Sequence, residues 1–181
     1  MRRVAVVGTS GSGKTTMARA IAARLGVPHV ELDAFHWAPG WTEVDPEAFR
    51  ASVAAALEAD GWVTDGNYSK VRDLYLARVD TVVWLDLPLR TCVWRIARRT
   101  FVRARSHEEL WGSGNRESWR KQLGRDSLLW WVLTTHGRRR RENEARFADP
   151  ALAGVEILRF RSSAAADAWL AGLAPARGDA G

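Results

Sequence analysis

Residues Gly8-Thr9-Ser10-Gly11-Ser12-Gly13-Lys14-Thr15 fill every fixed position of the pattern G-x-x-x-x-G-K-[ST], directly after the apolar run Val4-Ala5-Val6-Val7. Each residue type has a job in holding a triphosphate. The glycines let the backbone turn tightly and aim successive N–H groups at phosphate oxygens. A helix starting at Lys14 adds the partial positive charge of its N-terminus. Lys14 then reaches the β and γ phosphates, and the Thr15 hydroxyl becomes a ligand for the accompanying Mg²⁺. The expected nucleotide set is Gly8 to Thr15 with Thr16, and the expected cofactors are ATP and Mg²⁺.

Two further clusters carry chemistry-bearing side chains. Asp33-Ala34-Phe35-His36-Trp37 follows the apolar segment near residue 30, with Trp41 close behind. Asp33 there could orient or deprotonate an acceptor hydroxyl, or hold the metal through water, with His36, Trp37 and Trp41 beside the acceptor; the structural alternative is a turn or helix-capping carboxylate next to packing aromatics. Asp65-Gly66-Asn67-Tyr68 ends another apolar run, the placement expected of a carboxylate that positions Mg²⁺. Asp86 ends the stronger run Val82-Val83-Trp84-Leu85 and is its rival. Asp65 is preferred because Gly66 permits close approach to a ligand, whereas Leu87-Pro88 reads as the entry to a helix. Asn67, Tyr68 and Arg72 complete the expected acceptor side.

These residues need a frame. Strands are expected at Arg3 to Val7, His29 to Leu32, Trp62 to Thr64, Thr81 to Leu85 and Val155 to Phe160. Helices fall near Lys14 to Leu25, Pro46 to Glu58, Ser69 to Arg78, Leu89 to Arg103, Arg116 to Arg146 and Ser163 to Leu170. Alternation of this kind describes an α/β fold, a doubly wound five-stranded parallel sheet, in which ligands bind beyond the carboxyl ends of the strands. All three clusters sit there.

The combination resembles the adenylate-kinase-like branch of P-loop proteins, which includes nucleoside monophosphate, shikimate and gluconate kinases. Asp65-Gly66 stands where that branch carries Asp-Gly after its third strand, and Pro88, Arg95 and Arg99 match its proline-initiated helix with two arginines one turn apart. The resemblance implies that Arg95 lies against adenine and that Arg99 contacts the transferring phosphates. It also implies that the segment from about 106 to 146 is a lid, inserted in what the chain length predicts to be a single domain, 1–173. Arg125 is the first lid candidate and Arg138 the second. Lys14, Asp33, Arg99 and Arg125 make up the expected catalytic set. The runs E-L-D-A-F-H-W, D-G-N-Y, N-R-E-S-W-R and R-D-S-L-L-W-W look like the bacterial DNA topology modulation and adenylate-kinase-related group. Adenylate kinases carry Asp-Gly-Phe-Pro-Arg where this chain reads Asp65-Gly66-Asn67-Tyr68-Ser69, which points away from AMP as acceptor.

Composition narrows the field. The 181 residues carry a net charge of +6, but residues 90–146 alone hold 15 Lys/Arg against 6 Asp/Glu. Such a block suits phosphates, either of a nucleotide under a lid or of a nucleic acid backbone. One cysteine excludes an internal disulfide, and no apolar stretch approaches a membrane span. The expected setting is cytoplasmic, as a monomer or homodimer, with a disordered tail over 174–181. The leading functional reading is an ATP-dependent phosphotransferase; the alternative is a nucleic-acid-associated ATPase or regulator affecting DNA topology.

Overall fold

A computed structural model of the chain describes residues 1–106, 109–110, 115–116 and 127–175, the side chains of 103–126 excepted. Five parallel strands form its main sheet: β1 (Arg3–Gly8), β2 (His29–Glu31), β3 (Trp62–Asp65), β4 (Thr81–Leu85) and β5 (Glu156–Phe160), in the order β2-β3-β1-β4-β5. Registers such as Val6 opposite both Asp65 and Val83 bring the carboxyl ends of β1, β3 and β4 level.

The alternation of side chains along β1 divides the core in two. Val4 and Val6 pack on one face with Ile21, Val63, Val83, Ile96 and Val132; Ala5 and Val7 pack on the other with Phe49, Val53, Trp62 and Tyr75. A sheet buried on both faces explains why its strands read as continuous apolar runs.

Helix boundaries follow local chemistry. Helix α1 (Lys14–Leu25) runs between Gly13 and Gly26, both at positive φ, and buries Met17, Ala18, Ile21 and Ala22 on one stripe. A one-turn helix, α2 (Leu32–His36), follows β2 directly. In α3 (Pro46–Ala56), Asp45 caps the N-terminus by accepting from the N–H groups of Glu47 and Ala48. The expected helix over residues 69–78 is a single 3-10 turn, Ser69–Val71, leading into α4 (Arg72–Leu76). Helix α5 (Leu89–Ser106) outruns its expected end. Helix α6 (Leu128–Phe147) begins at the Ser127 cap rather than at Arg116, which lies in a two-residue strand pair with Glu109–Leu110. Helix α7 (Ser163–Gly172) closes the fold.

The stretch between β2 and α3, for which no element is expected from the sequence, is also ordered. Beyond α2, Trp37–Ala38 pairs antiparallel with Thr42–Glu43 around the turn Pro39–Trp41. Gly40 and Trp41 both take positive φ there, which makes this hairpin the one place where a described non-glycine residue does so. One helical turn and two-residue strands are too short to leave a periodic signal in sequence. Arg125 lies outside the described residues, together with 107–108, 111–114 and the rest of 117–126 within the expected lid, as does the tail from residue 176.

Candidate functional site

The loop between β1 and α1 is built so that nothing but glycine fits at its tightest points. A Cβ on Gly11 would fall 2.5 Å from the Cys92 carbonyl oxygen, and one on Gly8 would fall 2.7 Å from that of Leu85. Gly11 and Gly13 hold φ of 81° and 93°, a conformation costly for other residues. No side chain caps α1, so its first-turn N–H groups keep no side-chain acceptor at the loop. Lys14 extends into this mouth, its ammonium 3.4 Å from the Thr9 carbonyl oxygen. Burial holds Lys14 below its ordinary pKa, opposed by the Asp33 and Asp65 carboxylates and reinforced by Arg99 and Arg139. Ser12 is buried beneath the loop, Thr9 and Ser10 are half-buried, and Thr16 is exposed on the first turn of α1.

Thr15 and Asp65 meet: the threonine hydroxyl donates to Asp65 Oδ2 at 2.7 Å. The other carboxylate oxygen, Oδ1, accepts from His29 Nε2 at 2.7 Å. Asp65 is 3 % exposed, so this three-residue chain is a fixed part of the site floor. The parallel register places His29 opposite Val63, two residues before Asp65 and on the same face. That partnership depends on β2 lying beside β3, which the sequence alone does not state. Asn67 reinforces the loop from the same turn by donating to the Gly8 carbonyl oxygen at 2.6 Å. Gly66, at φ 144°, leaves room for Leu32, whose Cβ would lie 2.9 Å from an added one. The rival Asp86 is turned away and accepts two hydrogen bonds from Arg159, at 2.6 and 2.9 Å.

Asp33, at the first turn of α2, accepts from the Tyr68 hydroxyl at 2.6 Å. Burial, and then the Asp33 charge, push the Tyr68 phenol well above its usual range, so it stays a donor at physiological pH. His36 is buried against Trp37, Phe49 and Tyr68, with ring centroids at 4.8, 5.1 and 4.4 Å. Burial lowers its pKa against the upward pull of Glu43, whose Oε2 lies 3.8 Å from Nε2. Packed this way, His36 forms the base under Tyr68, and Trp37 stacks edgewise on Trp41 at 5.7 Å.

The arginines divide by partner. Arg95 donates to the Ser12 carbonyl oxygen at 2.9 Å and to Ser163 Oγ at 2.7 Å, which ties α5 and α7 to the phosphate loop. Arg99, half-buried one turn further along α5, acts on the charge of Lys14. From α6, Arg138, Arg139 and Arg146 line a pocket of about 230 Å³ with Arg72 of α4 and with Gly8, Thr9 and Asn67. Neither Arg139 nor Arg146 is marked in the sequence: the run Arg138 to Arg141 does not say which of its members faces inward, and Arg146 stands alone beyond it. The structure shows it, since Arg138 is largely exposed while the Arg139 guanidinium stacks over Trp131 at 4.3 Å. Among the described residues no three acidic, histidine or cysteine side chains cluster as a protein-only metal cage.

Comparison with known proteins agrees with this architecture. Residues 4–85 match the family model described as ATPase family associated with various cellular activities (AAA). No curated protein matches the chain. Among solved structures, shikimate kinase from Bacteroides thetaiotaomicron is similar with a TM-score of 0.54 at 15 % identity, over 95 % of this chain and 96 % of that one. A sugar kinase from Janibacter has a TM-score of 0.49 at 23 % identity, over 89 % and 85 %. A gluconokinase from Sinorhizobium meliloti has a TM-score of 0.49 at 21 % identity, over 96 % and 93 %. The glycine-rich loop at the end of β1, the five-stranded parallel sheet and the shikimate kinase likeness together give this chain a P-loop kinase-like fold.

Proposed function

We propose that the protein transfers the γ-phosphoryl group of ATP to a hydroxyl of a small-molecule acceptor. The observation that carries this reading is the Thr15 hydroxyl joined to the buried Asp65 carboxylate at 2.7 Å, beside Lys14 at the mouth of a glycine loop. Hard oxygen donors of this kind fit Mg²⁺, which takes one or two protein oxygens and completes its shell with phosphate and water. Thr15 and Asp65 would hold it, and His29 fixes the orientation of Asp65. When bound, the ion would supply charge neutralisation to the phosphates.

The chain's own groups account for the remaining tasks. Backbone N–H groups of residues 8–16 and Lys14 hold the triphosphate, and adenine packs against Arg95, which two hydrogen bonds, to the Ser12 carbonyl oxygen and to Ser163 Oγ, hold in place. Asp33 receives the acceptor proton on the oxygen that Tyr68 does not occupy, and the acceptor oxygen bonds to the γ phosphorus as the bridge bond to ADP breaks. Lys14 and Arg99 neutralise charge on the group in transit. His36, Trp37 and Asn67 shape the acceptor side.

A screen of Mg-ATP consumption and thermal stabilisation against nucleosides, nucleoside monophosphates, sugar acids, polyols and duplex DNA tests the proposal. A small molecule that both stabilises the protein and accelerates ATP use is expected. Acceleration by DNA alone would overturn the reading in favour of a nucleic-acid-dependent ATPase.

A further inference from the structure

The exposed large apolar side chains of this molecule are gathered in one place. Among the described residues they are Met1, then Trp94, Phe101 and Val102 of α5 and Trp130 and Leu133 of α6, and those two helices pack against each other. Trp94 is 62 % exposed and the others on the helices about half. Helical periodicity makes them a face. Cys92, Ile96 and Thr100 of α5 are buried, so positions 90, 94, 98, 101 and 102 project from the opposite side. On α6 the buried residues are Val132, Thr135 and His136, which turns Trp130, Leu133 and Gly137 outwards. Single apolar residues scattered over a surface need no explanation, but a shared face of this kind marks a place of contact.

The charge around the face has one sign. Helix α5 carries six arginines and no carboxylate, and residues Leu128 to Gly137 of α6 include no Lys, Arg, Asp or Glu. Arg90 and Arg98 stand exposed on the apolar stripe itself, and among the described residues no carboxylate pairs with either. Arg98 lies over the Trp94 ring, 5.9 Å from its centroid, so cation and indole reach the surface together. Arg95 leaves this stripe for the phosphate loop, which keeps the face separate from the nucleotide site. A second copy laid on the same face would set arginine against arginine. Single-stranded nucleic acid would engage the arginines and the ring faces but gives Val102 and Leu133 nothing to bury against. An anionic bilayer surface offers both halves of the match: negative headgroups for the guanidinium groups and, just beneath, an apolar layer for the indole, phenyl and aliphatic side chains.

We propose that the outward face of α5 and α6 docks the protein on an anionic lipid surface, with Trp94 and Trp130 at headgroup depth and Arg90 and Arg98 on lipid phosphates. The test sediments the full chain with vesicles of phosphatidylcholine alone and of phosphatidylcholine containing about one third phosphatidylglycerol. Wild type is compared with the double variants Arg90→Gln with Arg98→Gln and Trp94→Ser with Trp130→Ser. All four side chains are exposed, so both variants should keep the wild-type circular dichroism spectrum and affinity for an ATP analogue; should one fail to fold, the other decides. Wild type is expected to bind the anionic vesicles at least about tenfold more tightly than the neutral ones, and the arginine variant to lose about thirtyfold, the worth of two charges at a lipid surface. The tryptophan variant, with every charge in place, should lose at least about tenfold. No binding to either vesicle, equal binding to both, or anionic binding unchanged in the folded variants overturns the proposal. So does a wild-type dimer that the tryptophan variant breaks, which would give the face to a second copy. Oligothymidylate that binds more tightly than the anionic vesicles and loses that affinity in both variants would overturn it in favour of single-stranded nucleic acid.

Discussion

The Asp65 carboxylate divides its two oxygens between Thr15 and His29, so the group that would orient a cation is itself oriented. Removing the outer partner, His29→Ala, should raise the Mg²⁺ concentration needed for half-maximal turnover by about 10–100-fold, while glutamine at position 29, able to donate to Asp65, should restore part of it; a magnesium titration of the rate checks both. Asp33→Asn should lower kcat by about 10²–10⁴-fold through loss of the proton acceptor, with nucleotide affinity unchanged in a binding titration. His36 makes a prediction about stability. Because burial holds its pKa below the ordinary 6.5, the unfolded chain takes up the proton first as pH falls. Its contribution is complete above 6.5 and is lost as pH falls from there towards the folded pKa. Denaturant melts from pH 8 to 5 should show a flatter acid limb for His36→Phe. At this scale the placement of Lys14, Thr15, Asp33 and Asp65 at the carboxyl ends of the strands was legible because a motif or a strand end marks each. The placement of His29 and Arg139 was not, because it is set by neighbours across strands and helices.

At the scale of elements, caps and glycines decide geometry. Asp45 satisfies two N–H groups of α3, a helix whose Phe49 and Val53 pack on the face of the sheet that carries Ala5 and Val7. Asp45→Ala should cost about 1 kcal/mol in a denaturant melt and leave nucleotide affinity unaltered. Gly11 is the contrasting case. Its φ of 81° and the 2.5 Å approach of the Cys92 carbonyl to any added Cβ mean that Gly11→Ala must displace the loop from α5. Strands β1 and β4 were readable to within a residue because burial on both faces makes their sequences continuously apolar. The turn α2 and the Trp37–Glu43 hairpin were not, because their positions are set by packing of His36 and Phe49 rather than by any repeat.

Across the whole molecule the positive charge is distributed by partner more than by sequence position. Asp86, buried at the end of β4, gathers Arg159 of β5 at 2.6 Å and Arg140 of α6 at 3.3 Å. With His136 of α6 donating to the Leu87 carbonyl oxygen at 3.0 Å, these contacts hang the arginine-bearing helix on the sheet edge and set where its pocket face points. Asp86→Asn should lower unfolding free energy by about 2 kcal/mol, less than the cost of breaking a fully buried pair because Arg159 is a quarter exposed. Several arginines that could read from sequence as a nucleic-acid surface are thus committed internally, to Asp86, to the Ser12 carbonyl oxygen and to the pocket. Among the described residues no helix is long and apolar enough to cross a membrane. The most direct test of the account follows the γ-phosphoryl label of ATP in the presence of Mg²⁺ and an acceptor identified by the screen, comparing wild type with Lys14→Ala shown by circular dichroism to be folded. Label appearing on the acceptor with wild type, and falling by at least about 10²-fold with the variant, is the predicted result; label released only as inorganic phosphate, or transferred equally well by both proteins, would contradict it.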